Sequence, residues 1–356
     1  MAEFNFGVEM GYFRANIEKA KGYVPGFQPK ETDIVKLNTN ENPYPPSPAV
    51  MQAVAEVGAE QLRRYPDPLG DKFRKAAAEV NGVGAENIMC CNGGDELLAI
   101  AFEAFCDEER LVAYPVPTYS LYPTLAELQN CGAIEVPFDG EFNLPVKLAG
   151  SGAALTIVCN PNAPTGTFIS AGELANLAEE ISGVLLIDEA YVDFAEDNCA
   201  RLIEELDNVI ILRSMSKGYS LAGLRFGYAI ACAGLISGLM KVKDSYNVDA
   251  IAISAATAAI KDQEYFRRNV EQIKKDRGTL TEQLRGLKFE VIESSANFVL
   301  AENRDCKASE IYDKLVERKI YVRYFPVPGL GDKLRITVGT SEQNERLISA
   351  LKEILG

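Results

Sequence analysis

Val209-Ile-Ile-Leu-Arg213-Ser-Met-Ser-Lys217-Gly-Tyr-Ser-Leu-Ala-Gly-Leu-Arg225-Phe-Gly227 joins a short β-branched run to a lysine set among hydroxyls and small residues. The apolar run reads as a buried strand, so Lys217 follows the end of a strand in a sheet interior. Desolvation disfavours an ammonium ion, and a neutral amine can form a Schiff base with a carbonyl group. Ser214, Ser216 and Arg225 supply donors suited to a phosphate. An amine beside a phosphate receptor is what pyridoxal phosphate requires. The ordinary alternative for a Ser-Lys pair after a strand is a solvated surface lysine, and the rest of the chain decides between the two.

Working outward, short apolar runs at Ile88–Cys91, Arg110–Tyr114, Leu155–Cys159, Val184–Asp188, Val209–Arg213 and Tyr228–Cys232 alternate with segments of helical periodicity. One such segment places Leu97, Leu98, Ala101, Phe102 and Phe105 at helical spacing. Buried strands alternating with helices predict a mainly parallel sheet between helix layers, with functional loops at the strand ends. Asn42-Pro-Tyr-Pro-Pro-Ser-Pro48 is a rigid loop, because proline removes donors and restricts its predecessor.

After about residue 247 the texture changes. A long helix over 250–286 is followed by strands at 289–292 and 298–300, a helix near 307–318, strands at 320–323 and 334–338, and a final helix over 342–355. This predicts a second, smaller domain. The division is 36–246 for the large domain, with 1–35 and 247–356 forming an N-terminal arm and the small domain.

The 356 residues are 47% hydrophobic, enough for two cores, and carry a net charge of -15. That charge, with no long basic run, argues against nucleic acid. The chain has no histidine, which excludes Ser-His-Asp hydrolysis and His-ligated metal sites, and no metal is expected. Eight cysteines without a Cys-x-x-Cys pair read as reduced structural thiols. No apolar run reaches membrane-spanning length and the N-terminus lacks signal character, so a cytoplasmic protein is expected.

Three further stretches carry chemistry. Asn92-Gly-Gly-Asp-Glu96 follows a strand and opens a helix, so the amides of Gly94 and Asp95 form a phosphate seat; ordinary helix capping by the acids is the alternative. Tyr119, in Pro117-Thr-Tyr-Ser-Leu-Tyr122, presents a face for a flat ring, or simply packs. Asp188 ends an apolar strand, where a carboxylate is costly unless it meets a cation such as a protonated pyridine nitrogen. Tyr191 can then reach the ring's phenolic oxygen. Capping the next element or pairing with an arginine is the alternative for Asp188.

These segments, in this order, resemble the fold type I pyridoxal-phosphate-dependent aminotransferases, and specifically the histidinol-phosphate aminotransferase family. The resemblance spans nearly the whole chain. It is carried by Gly22-Tyr-Val-Pro-Gly26, Leu37-Asn-Thr-Asn-Glu-Asn-Pro43, Arg64-Tyr-Pro-Asp67, Gly94-Asp-Glu96, Pro117-Thr-Tyr119, Asn160-Pro-Asn-Ala-Pro-Thr-Gly166, Asp188-Glu-Ala-Tyr191, Ser214-Met-Ser-Lys217, Gly223-Leu-Arg-Phe-Gly227, Val322-Arg323 and Leu334-Arg-Ile-Thr-Val-Gly-Thr340. It implies an aspartate-aminotransferase-like fold: a mainly parallel sheet in a large αβα domain plus a smaller α/β domain.

By the same resemblance Lys217 carries the cofactor covalently and moves protons, Asp188 pairs with the ring nitrogen, Tyr191 with the ring oxygen, and Tyr119 stacks. Gly94, Asp95, Ser214, Ser216 and Arg225 bind the phosphate, joined by Tyr65 from a neighbouring subunit, which implies a homodimer. Ala163 stands where the family usually has the asparagine that touches the ring oxygen. Asn162, Asn160 or Tyr191 alone is left to supply that contact, with Asn162 preferred. Tyr23, Asn40, Arg323 and Arg335 are the implied substrate contacts, Arg335 receiving the carboxylate of glutamate or 2-oxoglutarate. Strand-end salt bridges, loop packing and an Asx turn are their ordinary alternatives. The implied reaction is transamination of L-histidinol phosphate with 2-oxoglutarate; threonine-phosphate decarboxylation or a broader aromatic aminotransferase is the alternative on the same scaffold. A homologue that only binds would lack the lysine or the ring-nitrogen acid, and both are present.

Overall fold

The computed structural model describes residues 11–23 and 26–356. The first ten residues of the expected arm, and Val24 and Pro25 of the Gly22–Gly26 motif, lie outside the described residues.

After the two-residue strand β1 (Val35–Lys36), the chain builds a seven-stranded sheet from β2 (Ile88–Cys91), β3 (Val112–Val116), β4 (Ala133–Pro137), β5 (Leu155–Cys159), β6 (Val184–Asp188), β7 (Val209–Ser214) and β8 (Gly227–Ala231). The spatial order is β2-β8-β7-β6-β5-β3-β4. Only β8 runs against its neighbours; the β3–β4, β3–β5, β5–β6 and β6–β7 pairs are parallel. Alternate residues feed two apolar layers: Val209 and Ile211 of β7 face one, Ile210 and Leu212 the other. That is why these strands read as continuous apolar runs.

The expected strand at Arg110–Tyr114 lies two residues later. Pro115 is tolerated inside β3 because pairing with β5 involves only Val112 and Ala113. β4 escapes sequence detection because it is a mostly exposed edge strand with a single buried residue, Val136.

The second sheet is antiparallel, made of β9 (Phe289–Val291) and β10 (Phe298–Asn303) with two later strands. The segment expected as one strand over 320–323 divides at Val322 into β11 (Ile320–Tyr321), which pairs in parallel with β1, and β12 (Arg323–Tyr324). With β13 (Lys333–Thr337) the antiparallel order is β12-β13-β10-β9.

A helix boundary differs from the sequence reading. The helix expected over 250–286 breaks at Asp262 into Ala250–Lys261 and Gln263–Gly286, and the Asp262 carboxylate caps the second by accepting from the Tyr265 amide at 3.2 Å. The first of these helices buries Ala252, Ile253, Ala255, Ala256, Ala259 and Ile260 in one layer of the large sheet. The packing of this helix is therefore with the large sheet, while Val270 and Ile273 of the next helix pack with the small one. Conversely, Val35 and Leu37 pack into the core of the small sheet. All eight cysteines are free thiols, and no helix among the described residues is long and apolar enough to cross a membrane.

Candidate active site

Because β2, β3, β5, β6 and β7 point the same way, the segments leaving them collect along one edge of the sheet. Gly94, Tyr119, Asn162, Asp188 and Lys217 each lie at or just beyond one of these strand ends.

The turn expected to seat a phosphate lies where β2 runs into the helix Gly94–Phe105. Gly93 makes the turn with a φ of +80°, and a Cβ there would stand 2.8 Å from an Arg225 guanidinium nitrogen. Gly227 is needed for the same approach, since a Cβ would meet the Gly94 nitrogen at 3.0 Å. Arg225 holds a left-handed φ of 56° and donates to the Asp95 carboxylate at 3.2 Å. Asp95 also accepts from the Tyr119 hydroxyl at 3.2 Å, while Glu96 accepts from the Asn92 amide at 2.6 Å. Of the two acids, Glu96 makes the capping contact that was the alternative, and Asp95 pairs with Arg225. Ser214 Oγ accepts from the Ser216 amide at 3.2 Å, which places both serines at the turn before Lys217.

Asp188 is buried, with no salt-bridge partner among the described residues. Its oxygens accept from the Tyr122 hydroxyl at 2.8 Å and the Ala190 amide at 3.1 Å. Burial raises its pKa to about 6, opposed by those donors. The arginine pairing weighed for Asp188 belongs instead to its neighbour: Glu189 binds Arg213 at 2.7 Å. Tyr191 lies edge-on to Phe298, and its hydroxyl accepts from the Asn40 amide at 3.0 Å.

Asn162, the residue preferred for the ring-oxygen contact, bonds within its own loop. Its side-chain amide donates to the Pro117 carbonyl at 3.1 Å and to Thr165 Oγ1 at 2.9 Å, and its oxygen accepts from Thr118 at 2.9 Å. Both amide hydrogens are committed to closing the loop. Asn160 is likewise tied to Ile169, donating at 2.9 Å and accepting at 2.8 Å.

Lys217 is held from both ends. Its Nζ donates to the Thr39 carbonyl at 3.1 Å and lies 5.5 Å from the centre of the Tyr191 ring. The Asn42 side chain donates to the main-chain carbonyls of Lys217 and Gly218, at 3.0 and 3.1 Å. Burial, then the positive field of Arg335, lowers the lysine's pKa to about 8, with Glu41 opposing. Asn42 and the Thr39 carbonyl were not singled out in the sequence, although both lie in the Leu37–Pro43 motif.

Arg323 and Arg335 are cross-strand partners on β12 and β13. Arg335 donates to the Asn38 carbonyl at 3.0 Å, while its Nε is buried with no partner among the described residues. Tyr23 meets Tyr119 edge-on, with ring centres 6.1 Å apart. Asn40, expected as a substrate contact, hydrogen-bonds within the protein. It is fully buried, exchanges hydrogen bonds with Thr337 Oγ1 through its backbone amide (3.0 Å) and side-chain oxygen (2.9 Å), and faces Tyr191. Tyr65 is 80% exposed and stacks on Tyr246 at the surface, with ring centres 4.5 Å apart.

The donor set suits a flat anionic group. The buried Asp188 carboxylate matches a protonated ring nitrogen, the Gly93 turn brings helix amides against Arg225, and the orphaned Arg335 Nε awaits a second anion.

Residues 32–351 match the family described as aminotransferase class I and II. The chain is 49% identical over 346 residues to histidinol-phosphate aminotransferase 1 of Trichormus variabilis, covering 97% of this chain and 99% of that protein. In structure it is similar to the histidinol-phosphate aminotransferase of Sinorhizobium meliloti in complex with pyridoxal-5'-phosphate, with a TM-score of 0.84 and 26% identity over 90% of each chain. It shares its fold with the L-threonine-O-3-phosphate decarboxylase of Porphyromonas gingivalis, with a TM-score of 0.78 and 22% identity over 90% of this chain and 98% of that one.

Proposed function

The chain belongs to the aminotransferase class I and II family, and from that premise we propose that it is a pyridoxal-phosphate-dependent histidinol-phosphate transaminase. It moves the amino group of L-histidinol phosphate to 2-oxoglutarate, giving imidazole acetol phosphate and glutamate. The observation that carries this reading is Lys217, a buried amine with a pKa lowered to about 8, beside the Arg335–Arg323 pair. A nucleophilic amine and a double guanidinium receptor suit a substrate with an amino group at one end and a phosphate at the other. Near-full-length identity to proteins of that name supports it.

When bound, pyridoxal phosphate supplies a reactive carbonyl and a ring that draws negative charge from the carbon bearing the substrate's nitrogen. The residues would divide the work of holding it. The amides of Gly94 and Asp95, the hydroxyls of Ser214 and Ser216, and Arg225 take the phosphate. Tyr119 covers the ring face, Asp188 keeps the ring nitrogen protonated, and Tyr191, supported by Asn40, donates to the ring oxygen. Lys217 Nζ would be the covalent anchor and, displaced by the substrate's amine, would carry a proton between the substrate carbon and the cofactor's C4′ carbon. Its neutral form does this, and burial together with Arg335 favours that form. Arg335 holds the acidic end of either substrate, so one site serves both half-reactions.

The exposed Tyr65–Tyr246 pair supports a homodimer in which Tyr65 of the partner subunit completes the phosphate seat. Eight free thiols support a reducing, cytoplasmic setting.

The test is a substrate panel on the purified protein loaded with pyridoxal phosphate. Glutamate formation from histidinol phosphate and 2-oxoglutarate should exceed that from phenylalanine in kcat/KM. Release of carbon dioxide from threonine phosphate, with no amino transfer from histidinol phosphate, would overturn the assignment.

A further inference from the structure

Tyr122 is a fully buried polar side chain to which the proposed function gives no task. It sits in the first turn of the helix Leu121–Gln129 and is fully buried. Its ring lies edge-on to Tyr119, with centres 5.6 Å apart and planes at 90°, and it packs on Tyr114 at 5.7 Å. Its hydroxyl donates to Asp188 Oδ2 at 2.8 Å, and the Ala190 amide takes the other oxygen. A single side chain therefore touches both the ring-stacking tyrosine and the carboxylate assigned to the ring nitrogen.

We propose that Tyr122 is a positioning residue that keeps Asp188 ionised and aimed at the ring nitrogen of the cofactor. The proposal rests on the pyridoxal phosphate reading of the site.

The physical case starts from how poorly Asp188 is otherwise supported. The groups facing it from neighbouring elements are Tyr122, Cys159 at the end of β5, Asp95 on the helix Gly94–Phe105, Tyr191, and Glu189 next to it in the chain. Asp95 and Glu189 are acids that disfavour a further negative charge, and burial disfavours it most. The Tyr122 hydroxyl and the Ala190 amide are the donors that stabilise the ionised form. A hydrogen bond to a charged acceptor is worth about twice a neutral one. Tyr122 also fixes which oxygen of Asp188 remains open to the site, so it sets orientation as well as charge.

A purely structural role is the competing account, because a buried phenol needs some acceptor. The two accounts separate in Tyr122→Phe, which removes the hydroxyl and keeps the ring packed on Tyr119 and Tyr114. Pyridoxal phosphate affinity, read by absorbance, should weaken by about tenfold to a hundredfold. In the wild type, affinity falls as pH drops through the Asp188 pKa; in the variant that midpoint should move up, since the lost donor favoured the ionised form. In the cofactor-free protein, the carbonyl stretch of protonated Asp188, identified by its loss in Asp188→Asn, should persist to higher pH in Tyr122→Phe. Replacing Tyr122 with a ring-fluorinated tyrosine, a stronger donor of nearly the same shape, should move both midpoints down and covers the case in which Tyr122→Phe fails to fold. Wild-type protein that takes up no pyridoxal phosphate would sink the cofactor reading and this proposal with it. Wild type that binds, with midpoints unmoved in both variants, would sink the proposal alone and leave Tyr122 a packing residue.

Discussion

Arg323 and Arg335 stand directly opposite one another across the antiparallel β12–β13 pair. Like charges in register destabilise a sheet. Here both guanidinium groups also share one aromatic ring, Arg323 lying 5.2 Å and Arg335 5.4 Å from the centre of Phe325, and burial and Arg323 together lower the pKa of Arg335. An anion between them relieves that repulsion. A phosphate dianion has oxygens for both groups, whereas a carboxylate is satisfied by one fork. Arg335→Gln should therefore lower kcat/KM for histidinol phosphate and for glutamate alike, by roughly 100-fold, equivalent to about 3 kcal/mol. Arg323→Gln should lower it mainly for histidinol phosphate. Equal losses on both substrates in Arg323→Gln would remove the argument for a shared phosphate.

Asn40 offers a way to separate catalysis from strain. Its φ of 57° lies in the left-handed region, and its amide supports the Tyr191 hydroxyl. Asn40→Gly and Asn40→Ala both remove that support, yet alanine alone meets the backbone penalty of about 1–2 kcal/mol. The two variants should lose kcat to a similar degree. Asn40→Ala should unfold at lower urea concentration than Asn40→Gly. A kcat that follows stability, with the glycine variant near wild type, would mean that Tyr191 does not depend on Asn40.

Much of this site was legible because its residues sit at the ends of buried strands, and such strands announce themselves as apolar runs closed by a polar residue. Lys217 and Asp188 stand out in the sequence that way. The bonding of Asn162 and Asn40 was not legible for a common reason: an asparagine's type gives its capacity to donate, while the closing loop decides where the hydrogens go. In Asn162 they go to Pro117 and Thr165, in Asn40 to Tyr191. Tyr122 carried no separate signal, since a tyrosine inside an apolar helix turn reads as packing. The side on which Ala250–Lys261 packs was not legible, because the helix is apolar enough for either core and only packing assigns it.

Lys217 yields a pH dependence with a fixed sign. Its pKa falls from 10.5 to about 8 in the folded chain, so the unfolded chain holds more protons between those values. Its contribution to stability is fullest above 10.5 and is lost as pH falls through about 8. Measured without cofactor, the stability of wild type relative to Lys217→Met should rise as pH goes from 8 to 10.5 and be flat below 8. Covalent uptake of pyridoxal phosphate should quicken with pH and level off above about 8, because the neutral amine is the nucleophile. An uptake profile that climbs to pH 10.5 would mean that the lysine is not desolvated.

Gly93 carries the last prediction, because its conformation and its neighbour restrict it separately. A φ of +80° is strained for alanine whatever the space, and the added Cβ would stand 2.8 Å from Arg225 Nη2 and 3.3 Å from its Cζ. The end of a half-exposed arginine can move aside, so the clash should be relieved by displacing Arg225 from the phosphate seat, while the backbone strain remains as lost stability. Gly93→Ala should therefore weaken pyridoxal phosphate binding beyond what its fall in stability implies. A double-mutant cycle isolates the cause: in an Arg225→Ala background the same change should cost less affinity, with a coupling of about 1 kcal/mol or more. If Gly93→Ala costs the same with and without the arginine, the turn itself, acting through the Gly94 and Asp95 amides, is what the glycine protects.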